Sequence, residues 1–412
     1  MMRIEDVFSP RSSAVNNDIY VHREGLERDL LSGLESHYEL LLHGDSGCGK
    51  SWLYKKIFAD NGIKYQIADC ANAVRLGSLQ AEFKNLLDRQ QVAIKSGYEE
   101  ELSASLKTLV AEAEIKHLNQ FEIGSKEPYE QLLETAYKAS GRTRNVLVID
   151  NLESVVEDAK VMAELGSVIK LADNSNYAQY QTKLLIVGVP KGVRDYFSAA
   201  TDQTTVANRL RELPEVAGFG LDQTIGFCRK GFVELLEFEV GEEDLVKLAT
   251  RVHKLTLGIP QQLHDLCYYI AKEQRANPEN HKAVSDATLR WVQDSLTQFS
   301  VNVGKVMNER STTAGRRNQV LFTLGQIEAE SFTMTDVDTL LRELFPKSTA
   351  DKTLGTSQIL ADLATRDPAL ISSDGKGRGY HFSDSRYRMC LRGVLASGAD
   401  EKVTRRSSPT PG

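Results

Sequence analysis

Cysteine is scarce in this sequence and scattered: Cys48, Cys70, Cys228, Cys267 and Cys390 form no C-x-x-C pair, so neither a disulfide framework nor a zinc cluster can be read. A reducing compartment fits. No apolar run approaches the ~20 residues of a membrane span, and the opening MMRIEDVFSPRSS places Glu5 and Asp6 where a signal peptide needs apolar residues. The expected location is cytoplasmic, without membrane association. Strong charge of one sign is also missing: 50 Lys and Arg against 57 Asp and Glu leave −7, so no global field holds the molecule on nucleic acid and any such contact must be local. Internal repeats are lacking too.

What is present is ordinary globular composition, 41% hydrophobic and 26% charged over 412 residues, enough at roughly 100–200 residues each for two or three domains. Residues 1–17 are polar and read as a flexible arm. YELLLHG, NVLVID and KLLIVGVP are continuous apolar runs alternating with helical spacing, the pattern of a parallel sheet covered on both faces. The expected fold class is α/β over 18–215, with a helical insertion about 78–139 and a second strand near Ile63–Cys70. Residues 216–300 read as a helical unit and 301–315 as a linker. Over 316–397 the order helix, helix, helix, then two short extended runs around a glycine-rich tip suggests a winged helix, and 398–412 read as a disordered tail.

The chemistry concentrates in Gly44-Asp45-Ser46-Gly47-Cys48-Gly49-Lys50-Ser51, which satisfies G-x-x-x-x-G-K-[ST] between a strand and a helix. The glycines let backbone N–H groups converge on a phosphate and the helix start adds partial positive charge. Lys50 would reach the β- and γ-phosphates, and Ser51 would hold Mg²⁺. Cys48 fills a variable position, where its thiol would make the site sensitive to alkylation. Asp150 ends the apolar run NVLVID and is the metal-side acid. Its neighbour Asn151 cannot take a proton from water, so Glu153 is the nearest base or water-orienting group, with a helix-capping glutamate as the alternative. No guanine-reading N-K-x-D segment and no L-S-G-G-Q-like signature follow, which favours ATP.

Taken in order, IYVHRE, GDSGCGKS, LVIDNLE, LLIVGVP, TVANRLRELP and LTLGIPQQL resemble the initiator-related AAA+ ATPases: origin-recognition ATPases, TniB-type transposition ATPases and STAND regulators. The resemblance spans residues 18–397. It implies that Tyr20, Val21 and Arg23 line an adenine pocket and that Arg209, or else Arg211, is an arginine finger for a neighbouring subunit. It also exposes departures. Gly188 or Val189 stands where the family often has a polar γ-phosphate sensor, and Gln261 and Gln262 follow the lid proline where an arginine is common. With Asn151, these departures predict tight nucleotide binding, slow hydrolysis and a switch rather than a motor; the resemblance implies an ATP-dependent homo-oligomer.

Residues 301–412 hold 16 Lys or Arg against 13 Asp or Glu, a local +3. Lys376 and Arg378 in DGKGRGYHF would flank a DNA phosphate or minor groove, with Arg386, Arg388 and Arg392 on the next helix. The expected partner is double-stranded DNA, together with a partner protein. The competing reading is a STAND-like signalling or defence regulator whose winged helix docks protein. A metabolic kinase would leave the large helical region unexplained.

Overall fold

The uninterrupted apolar runs are neighbouring strands of one parallel sheet. The computed structural model describes residues 2–89, 126–155, 158–189, 204–308, 315–350, 352–374 and 379–406. These fall into two units: Ser13–Val15 with His22–Ala217, and Met1–Ser12 with Asn16–Val21 and Gly218–Gly412. The first unit carries β1 (Glu39–His43), β2 (Tyr65–Asp69), β3 (Asn145–Asp150), β4 (Thr182–Val189) and β5 (Leu210–Glu212), in the order β2-β3-β4-β1-β5. All pairings are parallel.

Every residue of β1 is buried, as is β3 up to Ile149, whereas edge strand β2 is largely accessible. Burial on both faces is why the central strands carry no polar alternation. Leu41, Leu147, Ile149, Leu184 and Ile186 face the helices Leu79–Arg89, Pro128–Ala139 and Ala159–Leu171 in one core. Leu40 turns to the other face, against Gly33 of the helix Glu24–Glu35. Between Leu79–Arg89 and Pro128–Ala139, the remainder of the expected insertion lies outside the described residues.

At the amino end of the sheet, Glu39 is only 7% exposed, and its carboxylate accepts the Leu184 N–H at 2.6 Å. Burial pushes this carboxyl up to about 7 although Lys183 is near.

In the second unit the helices Leu221–Cys228, Glu242–Thr256, Pro260–Ala276, Ala283–Ser295 and Thr297–Val306 precede the helix Arg316–Gln326, β6 (Ser331–Phe332), the helices Met334–Leu344 and Thr356–Thr365, and β7 (Ile371–Ser373) with β8 (Tyr380–Phe382). These three strands form an antiparallel sheet in the order β6-β8-β7. The helix Ser385–Val394 and a hairpin of β9 (Leu395–Ser397) and β10 (Val403–Arg405) follow. The segments expected as a lid and as a C-terminal module thus share one compact unit. The Arg392 guanidinium donates to the carbonyls of Lys254, Gly325 and Ile327 across them. Among the described residues no helix is long and apolar enough to cross a membrane.

Three segments expected to be loose hold regular structure among their described residues. In the N-terminal arm, Ile4, Val7 and Phe8 lie at helical spacing and are buried. The Phe8 ring packs 5.0 Å from Phe232 and 5.7 Å from Phe227, where Gly231 has no side chain to oppose it. Ser9 N–H donates to His264 Nδ1 at 3.2 Å, and burial pulls that imidazole down to about 4, keeping it a neutral acceptor. In the expected linker, residues 301–306 complete a helix because Val303 and Val306 are buried and Asn302 donates to the Tyr387 hydroxyl. In the expected tail, β10 forms because the Glu401 carboxylate accepts the N–H groups of Lys347 and Ser348.

Two outcomes follow. Phe8→Ala should lower the unfolding free energy of the full chain by about 3–5 kcal/mol in urea titrations, as for a buried aromatic; a loss below about 1 kcal/mol would mean the arm is not part of the core. Because Glu39 has a folded pKa of about 7 against 4.5 ordinarily, its burial is tolerated below pH 4.5 and costs stability as pH rises to 7. Glu39→Gln should therefore gain stability relative to the native chain between pH 4.5 and 8, by at most about 3 kcal/mol. A difference that does not change with pH would refute the assignment.

Candidate functional site

β1 ends at His43 and the chain turns at Gly44, where φ is +150° and a Cβ would overlap the Val216 carbonyl oxygen. Gly47 and Gly49 have φ of 82° and 88°, values that strain other residues. Gly49 caps the helix Lys50–Asp60 without a side chain, so no capping group competes for the N–H groups of its first turn. Asp45 and Ser46 are exposed at the tip of the loop. The Lys50 ammonium folds over the loop, donating to the carbonyls of Gly44 at 2.7 Å and Asp45 at 3.0 Å. Arg23 ties the loop down, donating to the carbonyls of Cys48 at 2.8 Å and Ala217 at 2.9 Å. Cys48 is 2% exposed, and burial, with Asp45 nearby, pushes its thiol up to about 11. The expected alkylation sensitivity is therefore not supported: a buried, protonated thiol is a poor nucleophile.

Asp150 stands at the carboxyl end of β3, level with Asp69 on β2. Its Oδ2 accepts the Tyr54 hydroxyl at 2.9 Å and lies 3.4 Å from Ser51 Oγ; its Oδ1 accepts the Asn151 N–H at 2.9 Å. Tyr54 is fully buried, and burial with the Asp150 charge drives its phenol pKa far up, so it acts as a donor. Tyr54 escapes a motif search, although it lies three residues after Ser51 and so shares its helix face. The Asn151 side chain turns to β2 and donates to Asp69 Oδ2 at 3.2 Å. Burial and the acids Asp69, Asp150, Glu153 and Glu82 push the Cys70 thiol up to about 12, marking how many carboxylates converge at this end of the sheet. Ser51 and Asp150 are hard oxygen donors suited to Mg²⁺.

Glu153 lies in the single 3₁₀ turn Leu152–Ser154, exposed, with its carboxylate against Gly188 at the end of β4. Arg209 precedes β5, its carbonyl accepting the Glu39 N–H and its guanidinium pairing with Asp173 at 2.6 Å. That is the amino end of the sheet, roughly 15 Å of strand from the phosphate loop, so Arg209 does not serve this chain's own loop. Arg211 is half-buried within β5, beside Leu40. Tyr20 and Val21, half-buried, fall in the other unit, as do half-buried Gln261 and buried Gln262, the latter with its Oε1 unpartnered among the described residues.

Lys376 and Arg378 lie outside the described residues. The arginines expected beside them already have partners within the chain, although Arg386 is exposed. Arg386 pairs with Asp384 and sits 4.4 Å from the Phe299 ring centre. Arg388 donates to the carbonyls of Glu328 and Ala329, Arg317 pairs with Asp362, and Arg342 donates to the Thr349 carbonyl. Arg388 and Arg392 are each 8% exposed. Their helix is as expected, but buried polar groups must bond within the fold, and these two serve carbonyls rather than a surface.

Tyr54→Phe removes only the hydroxyl that holds Asp150. Urea titration should show a loss of about 1.5–3 kcal/mol, the range for hydrogen bonds to charged groups; a loss under about 0.5 kcal/mol would show that the bond contributes little.

The AAA domain family model matches residues 35–197. No curated protein sequence matches. The Walker-type ATPase paby2304 of Pyrococcus abyssi superposes with a TM-score of 0.53 at 17% identity, over 94% of this chain and 99% of that one. The ORC2 protein of Aeropyrum pernix, in its ADPNP–ADP complexes, gives 0.53 at 12%, over 94% and 97%. At such identities the likeness is one of fold. Residues 35–197 thus match the AAA domain family, and the chain shares the fold of these two solved structures.

Proposed function

We propose that the chain is an ATP-binding switch with slow hydrolysis to ADP and phosphate, assembling with further copies of itself when ATP is bound. The observation that carries this reading is the convergence of Lys50, Ser51, Asp150 and Glu153 on the carboxyl end of one sheet, the side on which ligands of open α/β folds bind. Backbone N–H groups of 44–51 and Lys50 take the phosphates, and Ser51 and Asp150 would hold Mg²⁺. When bound, that ion would neutralise the charge that builds up on the phosphates. Tyr54 keeps the Asp150 carboxylate oriented toward Ser51. Arg209, at the far end of the sheet from its own loop, is assigned as a finger for a neighbour's nucleotide, a reading supported by its distance from this chain's own loop. Tyr20, Val21 and Arg23 are assigned to the adenine side, Arg23 acting through the Cys48 carbonyl.

For the C-terminal segment we propose a winged helix, supported by its element order and the three-stranded antiparallel sheet. Double-stranded DNA is the proposed partner, through Lys376 and Arg378. A second reading has one observation in its favour: Arg317, Arg388 and Arg392 bond internally, leaving less cationic surface than +3 implies and favouring a docked protein.

Steady-state turnover of the purified chain should be slow, and Arg209→Ala should spare ATP binding while impairing assembly-dependent hydrolysis; fast turnover by a monomer would contradict the switch. Fluorescence anisotropy with labelled duplex DNA should show ATP-dependent binding that weakens steeply with salt. Salt-independent or absent binding would leave the protein-docking reading.

A further inference from the structure

We propose that Gly188 is the seat of the hydrolytic base: its bulge at the carboxyl end of β4 leaves the space into which Glu153 reaches from the turn after β3. This rests on the phosphate loop binding ATP. Along the β1–β4 pairing Leu42 lies opposite Val187, but His43 lies opposite Val189, so Gly188 is an extra residue. Its φ is +89°, and a Cβ would overlap Glu153 Oε2 and come within 3.3 Å of the Leu152 nitrogen. Bulges bend a strand end and re-aim what lies beside it. Here the bulge admits a carboxylate from the turn after β3 where the fold's relatives were expected to place a side chain of β4 itself.

The sheet order explains why the base comes from Glu153 and not from the residue after Asp150. β3 lies between β2 and β4, and β4 lies between β3 and β1. Asn151, with φ 60°, sends its amide toward β2, where Asp69 accepts it at 3.2 Å. The buried Leu152 anchors the turn, and Glu153 emerges on the β4 side. That side faces β1 and its phosphate loop. The Glu153 carboxylate remains exposed, so water reaches it.

In the step assigned to it, the oxygen of a water molecule bonds to the γ-phosphorus as the bond from that phosphorus to the β,γ-bridging oxygen breaks. ADP leaves with the electron pair. The water proton passes to the Glu153 carboxylate and then to solvent. Glu153 is the catalytic residue and Gly188 a positioning residue.

The test measures single-turnover hydrolysis of ATP with Mg²⁺, alongside equilibrium ATP affinity, in the full chain. Glu153→Gln should slow hydrolysis at least about 100-fold with affinity within about twofold. Gly188→Ala should slow it by about tenfold or more, and the double variant should be no slower than Glu153→Gln alone, since the two act as a unit. Glu153→Asp, which shortens the reach by one carbon and leaves the bulge intact, should lose about as much as Gly188→Ala and covers the case in which that variant folds poorly. Unchanged hydrolysis in Glu153→Gln, or multiplicative losses in the double variant, overturns the proposal. A native chain that binds no ATP overturns instead the reading beneath it, and the affinity arm shows which has failed.

Discussion

Parallel register is the constraint on which the rest depends. Because β1, β3 and β4 run side by side in one direction, their carboxyl ends place Gly44, Asp150 and Gly188 on a common edge although they are far apart in sequence. Asp69 joins them level with Asp150. In a parallel sheet with both faces buried, a slip in register would swap the side chains packed on each face, so the packing that stabilises the core also fixes the relative positions of loop, acid and bulge.

Much of this was legible in the sequence, and for a physical reason: continuous apolar runs, a glycine loop and an acid at a strand end are local signals. Tyr54 shows the limit. Its spacing from Ser51 is visible, but its bond to Asp150 depends on two elements 96 residues apart meeting. Gly188 shows another: as a letter it reads as a missing sensor, whereas in three dimensions the Glu153 carboxylate, from the turn after β3, lies against it. The N-terminal arm misled because three apolar residues amid polar ones carry little pattern until the Phe227 and Phe232 rings that receive Phe8 are folded.

The C-terminal charge carries the same lesson for electrostatics. Net charge counts guanidiniums without asking what they bond to. Arg392, held by three carbonyls and pulled down to about 10 chiefly by burial, serves the fold, and the surface reading of +3 loses it together with Arg388. Electrostatic arguments from sequence therefore bound solubility and steering better than they locate an interface.

The central claim is that residues 44–51, with Asp150, bind ATP. Isothermal titration of ATP with Mg²⁺ into the native chain and into Lys50→Ala tests it most directly. One saturable site per chain, lost in the variant, is the predicted result; no binding to the native chain, or equal binding to both, would contradict it.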